Sequence, residues 1–407
     1  MSTPCEQGGL HSIEQAISTL TTLLRRPLDS TRQPLATAQG RTLAADLPAR
    51  LDVPRWDNSA MDGYALNSAD LDPATPWLPV AGCQAAGDPP STLPAGHCMQ
   101  IFTGAMLPAG ADTVIPAENC RIDNGRVLFG LYRAGQNIRR QGEETQAGQL
   151  LLTRGTRLDS RHIGLLASQG YAEIDVYQPL RIGILSSGNE LCEPGETLAD
   201  GQIYDTNSFL LASLLQGWGF SVTRYPRMRD ELEASKQQLV TAAAEQDILI
   251  SSGGVSVGDA DYLKTAVEQL GQLSLWRVAI QPGKPLAFGR IGDTPWIGLP
   301  GNPGASLVTA LIIARPALLA AQGLTDAQPQ TLRVQSGFKR SKIRVRQQYL
   351  QARLNSSTGS LQAVLHPQQS SAMLANCCWA DGLVVIPAQH SVATGDLLQF
   401  IPYFSLL

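Results

Sequence analysis

Two carboxylates, Asp259 and Asp261, close the stretch SSGGVSVGDADY at residues 251–262. Ahead of them Gly253, Gly254 and Gly258 let the backbone approach a ligand and adopt positive φ, while Ser251, Ser252 and Ser256 add hydroxyl donors. A short apolar run from Asp247 to Ile250 precedes the stretch, and Leu263, Val267 and Leu270 follow at helical spacing, so the loop joins a strand end to a helix start. Such a junction aims unpaired N–H groups and the positive end of a helix dipole at whatever lies above the sheet, which suits an anion. Acids beside an anion site make chemical sense when a divalent cation bridges the two. The alternative is that they favour the helix N-terminus as caps, a reading that weighs more on Asp259 than on Asp261.

Other loops carry polar residues of the same kind. Glu190 follows Ser187-Gly188-Asn189 at a strand end, where its carboxylate can ligate a cation, accept from a ligand N–H, or serve only as a turn acid. Asp205, in YDTN ahead of Leu210, Leu211, Leu214 and Leu215, reads as a helix N-cap, and Asp230, with Glu233 three residues on, reads as another. Lys284 is held between Gly283 and Pro285 with no helix face to solvate it, so its ammonium can neutralise phosphate or another oxyanion. In PGNPGAS, the turn Pro300-Gly301-Asn302-Pro303 is stiffened by its two prolines and delivers Ser306 and free N–H groups to a helix start. Asp62 in MDG, Thr103 in FTGA and Glu144 in RRQGEE read equally as turn residues and as contributors to a site. The basic cluster Lys339, Arg340, Lys342, Arg344 and Arg346 lacks interleaved aromatics and reads as a solvated strand or hairpin.

The elements that must position these loops fall into four parts. Ser12-Ile13-Glu14-Gln15 looks like a capping box opening a helix with an apolar stripe at Ile13, Ile17, Leu20 and Leu24. With RLDSRHIGLLASQG further on, this predicts a helical connector domain from residues 1–50 and 145–178. Between its halves, residues 51–144 break into short β-prone runs punctuated by Gly and Pro, a β-rich insertion. Residues 179–326 alternate strands (181–185, 220–225, 247–250, 274–280, 296–299) with helices beginning near Thr206, Asp230, Asp261 and Ala305. That pattern predicts a doubly wound parallel sheet whose ligand lies beyond the carboxyl ends of its strands. Residues 327–407 return to alternating strands, consistent with a small β-barrel. The fold class is therefore α/β and multidomain.

Composition narrows the partners. The 407 residues carry a net charge of −4 with 16% charged side chains, so no global basic field recruits nucleic acid or an anionic membrane. The most apolar stretch, Leu307 to Ala321, is interrupted by Arg315 and Pro316 and falls short of the ~20 residues of a bilayer span. No signal peptide is expected, because Glu6, Gln7 and two glycines stand where an apolar segment would lie. Seven cysteines at no zinc-like spacing, with Cys377-Cys378 adjacent, fit reduced thiols in a cytoplasmic protein.

The motifs DNSAMDGYA, IFTGAMLPAGAD, NIRRQGEE, SSGNEL, IYDTN, SSGGVSVGDADY, PGKP and GLPGNP occur in this order along the chain. In them the sequence resembles the molybdopterin molybdenumtransferases, the family that includes bacterial MoeA and the gephyrin E-domain, over nearly its whole length. The resemblance implies a MogA-like fold for residues 179–326 and a homodimer in which the β-rich domain of one subunit faces the α/β domain of the other. It implies insertion of molybdate into adenylylated molybdopterin with release of AMP, the adenylate coming from a pterin-adenylating MogA-type protein. It further implies Mg²⁺ held by Asp261 with Glu190 or Asp230, and catalytic contributions from Asp62, Thr103 and Glu144. The oxyanion-binding set would be Ser252, Gly253, Gly254, Ser256, Lys284, Pro300, Gly301, Asn302 and Ser306.

Several positions depart from the family pattern. Gln281 stands where many members have Lys, Ala305 where Ser is common, Glu144 where Asp is more frequent and Gln351 where Arg is common, while Ser370-Ser371 replaces Gly-Ser. These changes thin the oxyanion contacts. Two other functions stay open at the level of sequence: a non-catalytic chaperone or scaffold for molybdopterin or cofactor, and a different nucleotide-processing enzyme built on the same α/β module.

Overall fold

The computed structural model describes residues 10–407 except 73, 75, 230, 254–261, 357 and 358. The chain divides into two compact units, one built from residues up to Ala44, Arg154–Ile163 and Glu173–Leu407, the other from Ala45–Thr153 and Gly164–Ala172.

In the larger unit, β-branched and leucine-rich runs buried on both faces assemble a six-stranded sheet. Its order is Ser221–Arg224, Arg181–Ser186, Ile248–Ser252, Thr294–Leu299, Pro285–Ile291, Gly271–Arg277. The first four strands are parallel. Alternation along each strand feeds two cores, because successive side chains leave opposite faces. Ile182, Ile184, Ile248, Ile250, Ile297 and Leu299 meet helices Thr206–Gly217 and Pro303–Thr309, whereas Leu185, Leu249 and Trp296 meet helices Leu232–Glu245 and Tyr262–Leu270.

The last two strands differ from expectation. Gly271–Arg277 and Pro285–Ile291 run antiparallel to their neighbours, so Thr294–Leu299, Pro285–Ile291 and Gly271–Arg277 form a meander at the sheet edge. The expected strand at 274–280 starts and ends three residues earlier, and Pro285–Ile291 has no counterpart among the expected strands. Its leading Pro285 and internal Gly289 weaken the strand pattern in sequence. In the fold Pro285 stands at the strand's first position, where no ladder donor is needed, and Gly289 lies so close to the Gln272 carbonyl that no side chain fits.

Helix Ile13–Leu24 carries both halves of the capping box: Gln15 N–H donates to Ser12 Oγ at 3.1 Å and Ser12 N–H to Gln15 Oε1 at 2.9 Å. Ile13, Ala16, Leu20 and Leu24 are buried in the same core as Leu311, Leu318, Leu319 and Leu406. Each fully buried leucine there contributes about 1.5–3 kcal/mol by area. The helix from Pro303 passes through a π turn at Ala310–Ala314 into Arg315–Ala321. Against the expectation from the shorter stretch at Leu307 to Ala321, these 19 residues are long and apolar enough to cross a bilayer, but nearly all of them are buried inside the protein.

Strands Leu332–Ser336, Gln347–Asn355, Gln362–Leu365, Gly382–Ile386 and Leu397–Pro402 close into a barrel filled by Val334, Leu350, Ala352, Ala363, Val384, Ile386 and Phe400. Its outer face presents Tyr349, Leu383, Val385 and Tyr403 to the core of the α/β layer. Ile280–Gln281 extends the barrel sheet by pairing with Gln347 and Gln348, and Trp218 Nε1 donates to the Leu406 carbonyl at 2.7 Å. The barrel and the α/β layer are therefore one packed body.

The smaller unit holds a six-stranded sheet ordered Thr113–Pro116, Gly63–Leu66, Cys98–Ile101, Trp77–Gln84, Arg126–Phe129, Cys120–Asp123. Tyr64, Leu66, Leu78, Cys98, Ile115, Val127 and Phe129 fill its core. Leu47–Pro48 pairs with Leu150–Leu152 at its base.

Candidate functional site

A cavity of about 920 Å³ opens in the larger unit where the carboxyl ends of Arg181–Ser186, Ile248–Ser252 and Thr294–Leu299 meet the barrel. Parallel strands end together there and their loops turn outward, the place an open α/β sheet offers a ligand. Ser187, Glu190, Asn207, Ser252, Gly253, Pro300, Gly301 and Asn302 line the α/β side; Arg340, Arg346, Gln351, Gln369, Ser370, Ser371 and Cys377 line the barrel side.

Asn207 joins three of these loops. On the first turn of helix Thr206–Gly217, its Nδ2 donates to Ser252 Oγ at 2.7 Å and to the Gly301 carbonyl at 2.6 Å. Ser252 Oγ in turn donates to the Pro300 carbonyl at 3.2 Å, and Gly253 N–H to the Leu299 carbonyl at 3.1 Å. Both amide protons are thus committed, which fixes the amide's orientation and leaves Asn207 Oδ1 buried with no partner among the described residues. Asn207 was not among the residues expected at the site. Its place in YDTN, beside the capping Asp205, was the available signal.

The PGNPG turn also ties the α/β layer to the barrel. Asn302 stands at the N-cap position of helix Pro303–Thr309, yet its side chain leaves the helix uncapped and donates instead to Ser371 Oγ at 3.3 Å. Ala305 N–H donates to the Ser371 carbonyl at 3.2 Å, and a Cβ on Gly304 would meet that carbonyl at 2.9 Å. Close approach of two backbones therefore requires Gly304. Asp205, by contrast, acts as a cap, accepting from Ser208 N–H at 3.0 Å.

The expected site residues do not all face the cavity. Ser306 is wholly buried, its hydroxyl without a partner among the described residues, because the helix turns it away from the opening. Lys284 is exposed but absent from the walls, while Gln281, Pro282, Gly283 and Pro285 around it line them. Gly254, Ser256, Asp259, Asp261 and Asp230 lie outside the described residues. Of the three proposed metal carboxylates, Glu190 alone is described; it borders the cavity and forms no ion pair with a described residue. Among the described residues no three His, Cys, Asp or Glu side chains cluster as a metal site.

Arg340 and Arg346, expected on a solvated hairpin, instead stand in the barrel wall. Arg346 Nη1 donates to the Ile280 carbonyl at 3.1 Å. Gln351 is locked: Tyr403 Oη donates to its Oε1 at 2.6 Å, and its backbone exchanges hydrogen bonds with the Gln369 amide at 3.0 and 2.9 Å. Burial pushes the Cys377 thiol up to about 11, so it stays protonated at neutral pH. The positions that depart from the family pattern in this unit, Gln281, Ala305, Gln351, Ser370 and Ser371, all line the cavity.

In the smaller unit, Asp62 and Thr103 meet. Thr103 donates to Asp62 Oδ1 through both its N–H and its Oγ1, each at 2.7 Å, and these bonds hold the exposed carboxyl below the usual range. Glu144 is exposed on the same unit, and its side chain takes no part in that pair.

Three family models match in order: the MoeA N-terminal region (domain I and II) at residues 11–170, a probable molybdopterin binding domain at 183–320 and the MoeA C-terminal region (domain IV) at 333–403. A molybdopterin molybdenumtransferase of Haemophilus influenzae is 39% identical over 77% of this chain and 78% of its own. That of a Nostoc species is 35% identical over 86% and 83%, and molybdopterin molybdenumtransferase 2 of Mycobacterium tuberculosis 35% over 90% and 93%. The crystal structure of the molybdopterin biosynthesis MoeA protein from Pyrococcus horikoshii superposes with a TM-score of 0.77 at 29% identity, covering 97% of this chain and 99% of that one. The order of the domains, the strand-end cavity and these relatives agree, and the chain belongs to the MoeA family of molybdopterin molybdenumtransferases.

Proposed function

We propose that the protein is a molybdopterin molybdenumtransferase, which inserts molybdate into adenylylated molybdopterin and releases AMP. The observation that carries this reading is the cavity itself: strand-end loops of a molybdopterin-binding type of domain form one wall and the MoeA-type C-terminal barrel forms the other. Asn207, Ser252 and Gly301 hold the loops in register, so a ligand meets a pre-organised floor. The Asn302–Ser371 contact fixes the distance between the two walls.

Mg²⁺ is part of the proposal as the charge that offsets phosphate beside acids, with Glu190 as the described carboxylate available to it and Asp230 and Asp261 as the others. When bound, the ion would polarise the phosphoanhydride. A homodimer, delivery of the adenylate by a MogA-type protein and action in the cytoplasm complete the reading. In a dimer the Asp62–Thr103 pair of the smaller unit would reach a partner's cavity, where the ionised carboxylate, with both Thr103 donors on Oδ1, can accept a proton.

The test mixes purified protein with adenylylated molybdopterin and molybdate and follows AMP by mass spectrometry and cofactor by reconstitution of an apo-molybdoenzyme. No AMP above a molybdate-free control overturns the transferase and favours a carrier of the pterin.

A further inference from the structure

Among the described residues, the charged side chains lining the cavity are segregated: Glu190 and Asp205 on the α/β side, Arg340 and Arg346 on the barrel side. Asp205 is spent on its helix cap, so the acid side presents chiefly Glu190. On the barrel side no described carboxylate pairs with Arg340, Arg344 or Arg346. Arg340 and Arg344 each bury an Nε with no hydrogen-bond partner among the described residues. Burial, and then the neighbouring charge of Arg344, lower the proton affinity of Arg340. Half-buried guanidinium groups that repel one another and lack a counter-charge are costly unless an anion completes them.

We propose that Arg340 and Arg346 form a subsite for a phosphate monoester, with Arg344 behind them adding charge. Arg346 is anchored by the Ile280 carbonyl, so its remaining N–H groups face a fixed direction, and Arg340 offers the planar donor fork that matches a phosphate dianion. Free oxyanion alone does not explain the layout. A tetrahedral ion fills a small part of a cavity of about 920 Å³, and the opposite side offers Glu190 as an acceptor. The fitting ligand carries a phosphate at one end and N–H or O–H donors at the other, as a phosphorylated heterocycle does. This rests on the transferase reading for the class of ligand, but it assigns the phosphate to the barrel wall rather than to Lys284.

Calorimetric titration of the full chain with AMP, adenosine, inorganic phosphate and molybdate tests it, using wild type, Arg340→Gln, Arg340→Lys and the exposed Lys339→Gln. Wild type should bind AMP more tightly than adenosine. Arg340→Gln should weaken AMP by roughly tenfold or more, about 1.4 kcal/mol, with adenosine unchanged, Arg340→Lys intermediate and Lys339→Gln like wild type. If Arg340→Gln fails to fold, as judged by thermal melting, Arg344→Gln should show the same selective loss in smaller measure. Phosphate binding that is also lost in Arg340→Gln locates the dianion itself as the recognised group. The assignment is overturned if wild type does not prefer AMP, if Arg340→Gln binds AMP within about twofold of wild type, or if AMP and adenosine weaken together. It is equally overturned if molybdate binds more tightly than AMP and is what the variant loses. Molybdate-dependent AMP release is scored separately: release by wild type with unaltered AMP binding in Arg340→Gln sinks the subsite alone, and selective AMP binding without release sinks the transferase alone.

Discussion

Gly283 sits in the cavity wall at φ +100°, and a methyl placed on it would fall well inside the van der Waals shell of Thr309 Oγ1 and 3.5 Å from both Thr309 Cβ and the Ala305 carbonyl. Gly283→Ala therefore meets two separable costs. The left-handed backbone costs an L-residue about 1–2 kcal/mol, and overlap in a packed site adds about 1–3 kcal/mol. The sum is a destabilisation of roughly 2–5 kcal/mol. Thr309 is wholly buried and its hydroxyl has no partner among the described residues, so Thr309→Ala trades a lost methyl for relief of an orphaned polar group and should change stability by no more than about 1 kcal/mol. Combining the two should recover the overlap but not the backbone strain, a coupling of about 1–3 kcal/mol. Thr309→Val keeps the shape that clashes and should rescue nothing. Urea unfolding followed by tryptophan fluorescence, with Trp296 in the centre of the sheet of the same unit, reads these differences. A Gly283→Ala protein as stable as the parent, or a double variant additive to within about 0.5 kcal/mol, would refute the reasoning.

Other predictions follow from single contacts. Asn207→Ala removes two hydrogen bonds worth about 0.5–1.5 kcal/mol each, so the melting temperature should fall by a few degrees and AMP release should fall roughly 5- to 100-fold as the loops lose register; turnover within about twofold would count against its role. Thr103→Val deletes one of the two Thr103 donors to Asp62 and should move that carboxyl part of the way up toward about 3.9, read by NMR titration; no movement means the hydroxyl does not hold it. Asp247, its side chain 11% exposed, pairs with Arg26 at 2.9 Å and Arg181 at 3.0 Å. Burial raises its pKa, but the hydrogen bonds from Arg181 and the charges of Arg26 and Arg181 outweigh it and hold the carboxyl low. That stabilisation is complete above the ordinary carboxylate range and is lost as pH falls through the lowered folded value. Asp247→Asn should cost about 1–3 kcal/mol at pH 7, allowing for the partly exposed arginines, and progressively less in acid; a loss independent of pH would exclude the charge as its source.

What the sequence revealed and what it hid divide on physical lines. Strands such as Ile248–Ser252 and Thr294–Leu299 are continuous apolar runs, and the Gly, Ser and Pro that follow them mark strand-end loops whatever the rest of the chain does. Ser252, Gly253, Pro300, Gly301 and Asn302 were therefore found in the cavity wall by local rules. Strand Pro285–Ile291 was not, although Gly292 at φ +57°, beside Asp293 in the tight turn to Thr294, was a readable hairpin signal. Arg340 and Arg346 were missed for a different reason. Nothing in KRSKIRVR says which of its charges face inward, because that depends on closure of the barrel and its docking on the sheet. Lys284 shows the converse: its neighbours line the cavity, but the direction of one side chain between Gly283 and Pro285 is a tertiary fact.

Helix Ile13–Leu24 shares its core with residues from Leu307 to Leu406, and this has a consequence for how the protein is made. At about 5–20 residues per second, Pro303 emerges from the ribosome roughly 15–60 s after Leu24, and until then the helix lacks the 310–321 segment it packs against. The smaller unit, whose core lies between Tyr64 and Phe129, can close while the larger one waits. The cavity needs both of its walls and so matures only once the barrel is made, while a nascent chain arrested before Pro303 would hold the β-rich unit and an uncovered helix but no binding site.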